Sequence, residues 1–364
     1  MEHIYAGHIQ GKRAVSMGQI KIVNAGLMTT VQDLGRYGYQ QYGMSVSGAM
    51  DHAAAMQANI LVGNDDGEGL LEVTIMGPAI EFLSPAVFAV TGGDLQPTIN
   101  GDSVQLNKSI SANAGDRLAF KGLKKGCRSY VAFAGGIDVP VVMGSKSTFI
   151  KANLGGFEGR ALKPGDILSI GNPKAFMSDL AGRCLNEDFY DYGSDIIELR
   201  VVLGPQDDAF TSEGIETLFS SIYTASNNCD RMGYTLEGDK IQHKEGADII
   251  SDGISMGAIQ VPSKGNPIIM MADRQTTGGY TKIGNVITVD LPKIAQAKPG
   301  DKIKFKKTTI EEAHNLIKEF NKKISEAKSN LAAQAQSKRE IINTKIFNIR
   351  VNGNAYSVQV EELK

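Results

Sequence analysis

Residues 163–170 read "KPGDILSI", and the same turn-then-strand pattern stands at residues 114–120, "AGDRLAF", and at 298–305, "KPGDKIKF". In the two longer copies proline presets φ for the first turn position; in all three, glycine supplies the positive φ wanted at the second. The alternating residues that follow suit a strand with one buried face. The second and third copies fall where β-rich sequence gives way to polar sequence, near residues 172 and 306, so each is read as closing a domain.

Outward from these turns, short β-rich runs such as "AIEFL", "AVFAVTGG", "SYVAFAGG" and "IELRVVLG" recur between many of the 41 glycines. The expectation is a mainly β protein. A second echo, "DLGRYGY" (33–39) before "SGAMD" (47–51) and "DRMGY" (230–234) before "MGAIQ" (256–260), suits two similar halves, although its spacing differs between them. The expected organisation is a flexible leader over 1–18, a β domain over 19–172, a polar linker over 173–195, and a second β domain over 196–306. Two helices are expected inside the β regions: 50–62, entered after Ser47 and stopped by Gly63, and 207–220, entered through Asp207 and Asp208.

Residues 307–340 change character. Thr309 and Glu312 make a capping box, and Ile310, Ala313, Leu316, Ile317, Phe320, Ile324, Ala327 and Leu331 recur at helical spacing. That stripe reads as a surface that packs on the body or on a partner. In 341–364, Phe347, Ile349 and Val351 alternate before Asn352-Gly353, and Tyr356, Val358 and Val360 after it, which predicts a hairpin.

With 42 % hydrophobic residues, 21 % charged residues and a net charge of −2, neither disorder nor a polyanion-binding surface is indicated, so nucleic acid is not an expected partner. Three scattered cysteines, Cys127, Cys184 and Cys229, with no C-x-x-C pair, fit a reducing, cytoplasmic setting. No apolar run approaches the roughly 20 residues of a membrane span, and the first 18 residues lack the apolar core of a signal peptide. The five histidines have no partner at ligand spacing, so no metal is expected, and there is no G-x-S-x-G elbow. "GSKST" (144–148) fails the phosphate-loop pattern because Ser145 precedes Lys146; a polar turn is favoured over an anion site of Lys146, Ser147 and Thr148.

Three polar clusters remain: 29–39 with 45–51, 228–238, and "GAIQVP" (257–262) with "DRQTTGGY" (273–280). Such residues can cap local backbone. They can also form a site in which Gly278 and Gly279 admit a ligand and Gln275, Thr276 and Thr277 face a planar amide, carboxylate or ureido group. Arg36 and Arg231 would then hold a carboxylate, with Asp33, Asp51 and Asp273 as bases or orienting groups.

Taken in order, "GLMTTVQDLGRYGY", "SVSGAMDHAAAMQANILVGN", "LEVTIMGPAIEF", "GPQDDAF", "DRMGYTLEG", "GAIQVPSKGNPIIMMADRQTTGGYTKIGNVI" and "LPKIAQAKPGDKIKF" resemble the biotin-dependent carboxyltransferase-like family, also called allophanate hydrolase subunit 2. The likeness spans about residues 20–306. It implies two tandem cyclophilin-like open β-barrel domains, and it carries Arg36, Ser47, Asp51, Arg231, Gln260, Asp273, Gln275, Thr276 and Thr277, beside Gly278 and Gly279, over as substrate-binding positions without assigning an acid or base. The family includes the C subunit of 5-oxoprolinase, which implies work with a Kip-inhibitor-like B subunit of 5-oxoprolinase and with its A subunit, in an ATP-using complex that opens 5-oxo-L-proline to L-glutamate. Its other members imply carboxyl transfer from carboxybiotin to urea or a related amide, or a non-catalytic antagonist of a histidine-kinase inhibitor.

Departures are Ala25-Gly26-Leu27 where the family often has Pro-Gly-Leu, and Met44-Ser45-Val46-Ser47-Gly48 where Val-Pro-Val-Ser-Gly is common. The tail resembles the opening hairpin of a biotinyl domain, truncated before any Met-Lys-Met site, so no covalent biotin is expected on this chain.

Overall fold

The computed structural model describes residues 18–185, 189–190, 192–337, 341–351 and 354–363. The predicted leader therefore lies outside the described residues, apart from Gly18.

The first half is two antiparallel sheets face to face. One runs, in spatial order, Ile137–Asp138, Ile167–Ile170, Gly18–Asn24, Ala79–Phe82, Arg117–Phe120, Pro97–Ile99 and Asp102–Ser103; the other runs Met28–Gln32, Leu70–Thr74, Lys125–Phe133, Ala86–Asp94 and Ser109–Ala112. Between them lie Ile20, Ile22, Val73, Ile80, Phe88, Val90, Leu118 and Phe133, all fully buried. The strand alternation sends Phe88 and Val90 into this layer and Val87 and Ala89 to the other face, where the helix His52–Leu61 covers them. That double coverage explains why "AVFAV" is apolar throughout.

The second half is a closed barrel of Ile196–Leu203, Lys282–Val286, Ala258–Gln260, Ile268–Met270, Gly233–Glu237, Ile222–Cys229 and Lys302–Lys307. It closes fully, where an open barrel was expected, because the last strand pairs in parallel with the first, Leu199 beside Phe305, as well as antiparallel with Ile222–Cys229. Leu199, Val201, Tyr223, Leu236, Ile259, Ile269, Ile283 and Phe305 fill it.

All three copies of the opening pattern build one device. Gly115, Gly165 and Gly300 hold φ of 91°, 96° and 93°. The aspartate after each glycine bends back to accept from the backbone N–H at the turn's first residue: Asp116 from Asn113 at 2.7 Å, Asp166 from Lys163 at 2.7 Å, Asp301 from Lys298 at 3.0 Å. Each turn feeds a strand: Arg117–Phe120, Ile167–Ile170 and Lys302–Lys307.

The predicted helix at 50–62 is His52–Leu61; its cap is Asp51, which accepts from Ala54 N–H at 2.9 Å, rather than Ser47. The helix expected over 207–220 begins at Ser212, capped by Thr211, because Asp207–Ala209 forms a separate 3-10 turn. Ile310–Ser337 is one long helix that leaves the second half and lies back on the first. Ile324, Ala327 and Leu331 are buried there, and Lys328 pairs with Asp66 at 2.7 Å. Thr309 caps it, but the Glu312 side chain takes the Thr308 hydroxyl, so the reciprocal half of the capping box is absent. The predicted hairpin is present as Ile341–Val351 paired with Asn354–Leu363, and joins no other strand among the described residues; its turn at 352–353 lies outside them. No described helix is long and apolar enough to cross a membrane.

Candidate functional site

The polar clusters of the two halves meet at their seam. Arg231 lies at its centre, 7 % exposed, beside the strand Gly233–Glu237 of the barrel. Its Nε and Nη2 donate to Asp273 Oδ2 and Oδ1 at 2.9 and 3.0 Å, Nη1 donates to Glu72 Oε1, and Nη2 also donates to the Gly48 carbonyl at 2.6 Å. Glu72 belongs to the first half, so this guanidinium holds the two halves together. Burial alone would drive charge off both partners. Instead, Asp273 and Glu72 hold the Arg231 pKa above its ordinary value, and Arg231 and Arg128 hold Glu72 below the usual carboxylate range.

The network continues. Glu72 Oε2 accepts from Tyr130 OH at 2.9 Å and from Met50 N–H at 2.7 Å, and Tyr130 OH accepts from Asp51 N–H at 2.8 Å. Asp51 Oδ2 accepts from Tyr192 OH at 2.8 Å and Gln296 Nε2 at 2.9 Å, while Gln296 Oε1 accepts from the Cys127 and Arg128 N–H groups at 3.0 and 2.8 Å. Burial pushes the Asp51 carboxyl up in spite of these donors. Gln296 also lines a cleft of about 420 Å³ between the halves, with Lys124, Lys125, Lys293 and Lys302 on its walls.

Arg36, completely buried, donates from Nη2 to the Ser147 carbonyl at 2.6 Å. Ser47 holds φ of 56° and donates its N–H to the Ala272 carbonyl at 3.1 Å, joining the first-half loop to the strand end that precedes Asp273. Asp33 gathers the 145–147 turn: its carboxylate accepts from Ser145 Oγ at 2.7 Å, Lys146 N–H at 2.6 Å, and Ser147 Oγ. Lys146 Nζ pairs with Glu68. An internal carboxylate therefore occupies the position an anion would need, and the alternative reading of "GSKST" as an anion site fails.

The "DRQTTGGY" corner divides. Asp273 is bound to Arg231, the Thr276 carbonyl accepts from Ile254 N–H at 3.0 Å, and Thr277–Tyr280 forms a strand paired with Asp248–Gly253. Gln275 instead faces Gln260 across Gly278. A Cβ at Gly278 would lie 2.8 Å from Gln260 Nε2, 3.5 Å from Gln275 Nε2 and 2.6 Å from Ile254 Cδ1, so only glycine lets these side chains approach the backbone so closely. Gly279 has more room, with Ile249 O the nearest atom at 3.4 Å from a Cβ.

Four of the predicted positions carry a shielded polar atom without a hydrogen-bond partner: Arg36 Nη1, Ser47 Oγ, Gln260 Nε2 and Gln275 Oε1. An unmade hydrogen bond on a buried group costs about 1–3 kcal/mol, and native proteins keep few of them. Thus Asp51, Arg231 and Asp273 belong to the satisfied seam, whereas Arg36, Ser47, Gln260 and Gln275 keep open valences.

Sequence reasoning missed Glu72, Arg128, Gln296 and Lys282. Two of them carry a legible signal: Glu72 interrupts the apolar "GLLEVTIMG", and Lys282 stands in "YTKIGNV", charges inside strand patterns that bury only when paired. Lys282 is 2 % exposed.

Comparison with known proteins agrees with this architecture. The family of the carboxyltransferase domain, subdomain A and B, matches residues 42–307. The chain is 40 % identical over 296 residues to the C subunit of 5-oxoprolinase from Escherichia coli (strain K12), covering 81 % of this chain and 93 % of that protein. It is 35 % identical over 315 residues to urea amidolyase of Lachancea kluyveri, covering 81 % of this chain but 17 % of that much longer one. The crystal structure of the K. lactis urea amidolyase superposes with a TM-score of 0.78 at 31 % identity, over 85 % of this chain and 20 % of that one. With a family match over residues 42–307 and relatives of this identity, the chain belongs to the carboxyltransferase-domain family, subdomains A and B.

Proposed function

We propose that this chain is the C subunit of an ATP-dependent 5-oxoprolinase complex, which converts 5-oxo-L-proline to L-glutamate together with the B and A subunits. The observation that carries this reading is the amide pair packed at Gly278: Gln260 Nε2 is an unpaired donor and Gln275 Oε1 an unpaired acceptor, on side chains that both come up against the same glycine. A lactam presents one C=O and one N–H on a single edge, and such a donor–acceptor pair is its complement. Hydrogen bonds preplaced on the lactam oxygen would stabilise the charge that develops there when the amide carbon is attacked. The name of the Escherichia coli relative, over 93 % of that relative's length, supports the same substrate.

ATP is consumed by the complex; in this chain the 144–148 turn is closed onto Asp33 and Glu68 rather than open to a phosphate. Reconstitution with the A and B subunits, ATP and 5-oxoproline should yield glutamate that those two alone do not make. Gln275→Ala should lower kcat/KM about 10- to 100-fold, as loss of a bond to a polar substrate group does, while the complex still assembles. Glutamate no greater than that from the other two subunits alone would overturn the reading.

A second reading, carboxyl transfer to urea or a related small amide, is favoured by the 0.78 TM-score with the K. lactis urea amidolyase. Consumption of carboxybiotin in the presence of urea, with no ATP-dependent glutamate formation, would select it.

A further inference from the structure

A lactam that also bears a carboxylate needs a cation, and Arg231 and Arg274 are engaged. Arg231 has four of its N–H donors on Asp273, Glu72 and Gly48. Arg274 donates from Nε to the Ile254 carbonyl at 2.9 Å and from Nη1 to the Met271 carbonyl at 3.2 Å. Arg36 donates to the Ser147 carbonyl from Nη2 and keeps Nη1 unpaired, on a side chain that is completely buried.

Lys282 is differently placed. Strand register sets it directly opposite Gln260 in the barrel, so the two side chains share a face. Register in the neighbouring ribbon, Asp248–Gly253 with Thr277–Tyr280, sets Asp252 opposite Gly278, the residue that borders Gln260 Nε2. Lys282 Nζ pairs with Asp252 Oδ2 at 3.1 Å, closing this ring of four residues. The pair is unequal: the lysine side chain is 3 % exposed and the aspartate 56 %. A buried ammonium thus has as its counter-ion a solvated carboxylate on a two-stranded ribbon that joins no other strand among the described residues.

We propose that Lys282 is the residue that takes the carboxylate of a small cyclic amide, the substrate's carboxylate replacing Asp252 while Gln260 and Gln275 read the amide edge. This rests on the functional reading given above. Exchange costs little, because one carboxylate replaces another and the displaced Asp252 is already in water. It also couples binding to the ribbon, since the Lys282–Asp252 pair fastens the strand that lies over Gln260.

The test uses the reconstituted complex and two probes, 5-oxoproline and the uncharged lactam 2-pyrrolidinone, with binding measured by titration calorimetry without ATP. The wild type should bind 5-oxoproline at least about 10-fold more tightly, the scale of a hydrogen bond to a charged group. Lys282→Met should erase that preference and raise KM for 5-oxoproline with little change in kcat, leaving 2-pyrrolidinone binding unaltered; Lys282→Arg should restore most of it. Asp252→Asn, a change at a solvated side chain, should tighten 5-oxoproline binding by removing the competing carboxylate. Preference kept in an assembled Lys282→Met complex, no preference in the wild type, or unchanged affinity in Asp252→Asn would each overturn the assignment. Glutamate formation by the wild type judges the proposed function separately.

Discussion

His52, the first residue of a helix whose cap, Asp51, is buried, is itself half-buried, with its ring turned inward so that Nε2 is shielded. The ring borders a small cavity of about 170 Å³ under the long helix, with Met56, Tyr190 and Phe320, and its Nε2 has no hydrogen-bond partner. Burial lowers its pKa from 6.5 to about 4. The unfolded chain therefore takes up a proton that the folded one refuses. The stability His52 contributes is complete above about pH 6.5 and is lost as the pH falls from there towards 4. Denaturant titrations at about pH 7.5 and 5 should show a larger loss for the wild type than for His52→Gln, which cannot titrate; equal losses would contradict this account. Of the candidate residues, Gln275 and the two glycines are legible in one polar corner because glycine beside polar side chains admits a ligand, whereas Gln260 is carried over by the family resemblance. The engagement of Arg231 is not legible. Its partner Glu72 lies 159 positions away, and no local pattern links them.

Among the elements, the helix Ile310–Ser337 shows how far periodicity reaches. Its 3.6-residue repeat identifies the face but not the surface that receives it. The inward residues Ile324, Ala327 and Leu331 meet the first half, while Ile310, in the same stripe, is 55 % exposed because the helix begins beyond the edge of that surface. Leu331→Ala should cost about 2–3 kcal/mol in denaturant unfolding, as a buried leucine truncation does, and Ile310→Ala less than about 0.5 kcal/mol. Similar losses at the two sites would mean that the helix is not seated as described. The recurring G-D turn is the opposite case. Glycine and the back-bonding aspartate, joined by proline in two of the three copies, determine it within four residues, so it reads directly from sequence and recurs three times.

Over the whole molecule, the two halves are joined by buried charge rather than by apolar surface alone. Arg231→Met leaves Glu72 and Asp273 as carboxylates without their cation, which should destabilise the protein by about 3–5 kcal/mol. Calorimetry should show one transition in the wild type and a broadened or divided one in the variant; adding Glu72→Gln should recover part of the loss, since one unpaired charge is then removed. An Arg231→Met protein that unfolds as the wild type does would rule out this role for the seam. The sequence by itself determined what depends on neighbours along the chain: β-rich halves, their closing turns, the C-terminal amphipathic helix, the hairpin, and which residue types gather in each polar cluster. Only the tertiary structure decided that the last barrel strand closes in parallel on the first, that Arg231 is consumed by Asp273 and by Glu72 of the other half, and that Gln260, Gln275 and Lys282 converge beneath one ribbon. Turns, caps and periodic faces are local preferences. Counter-ions and site geometry depend on which distant groups exclude water together, and the chain carries no short-range record of that.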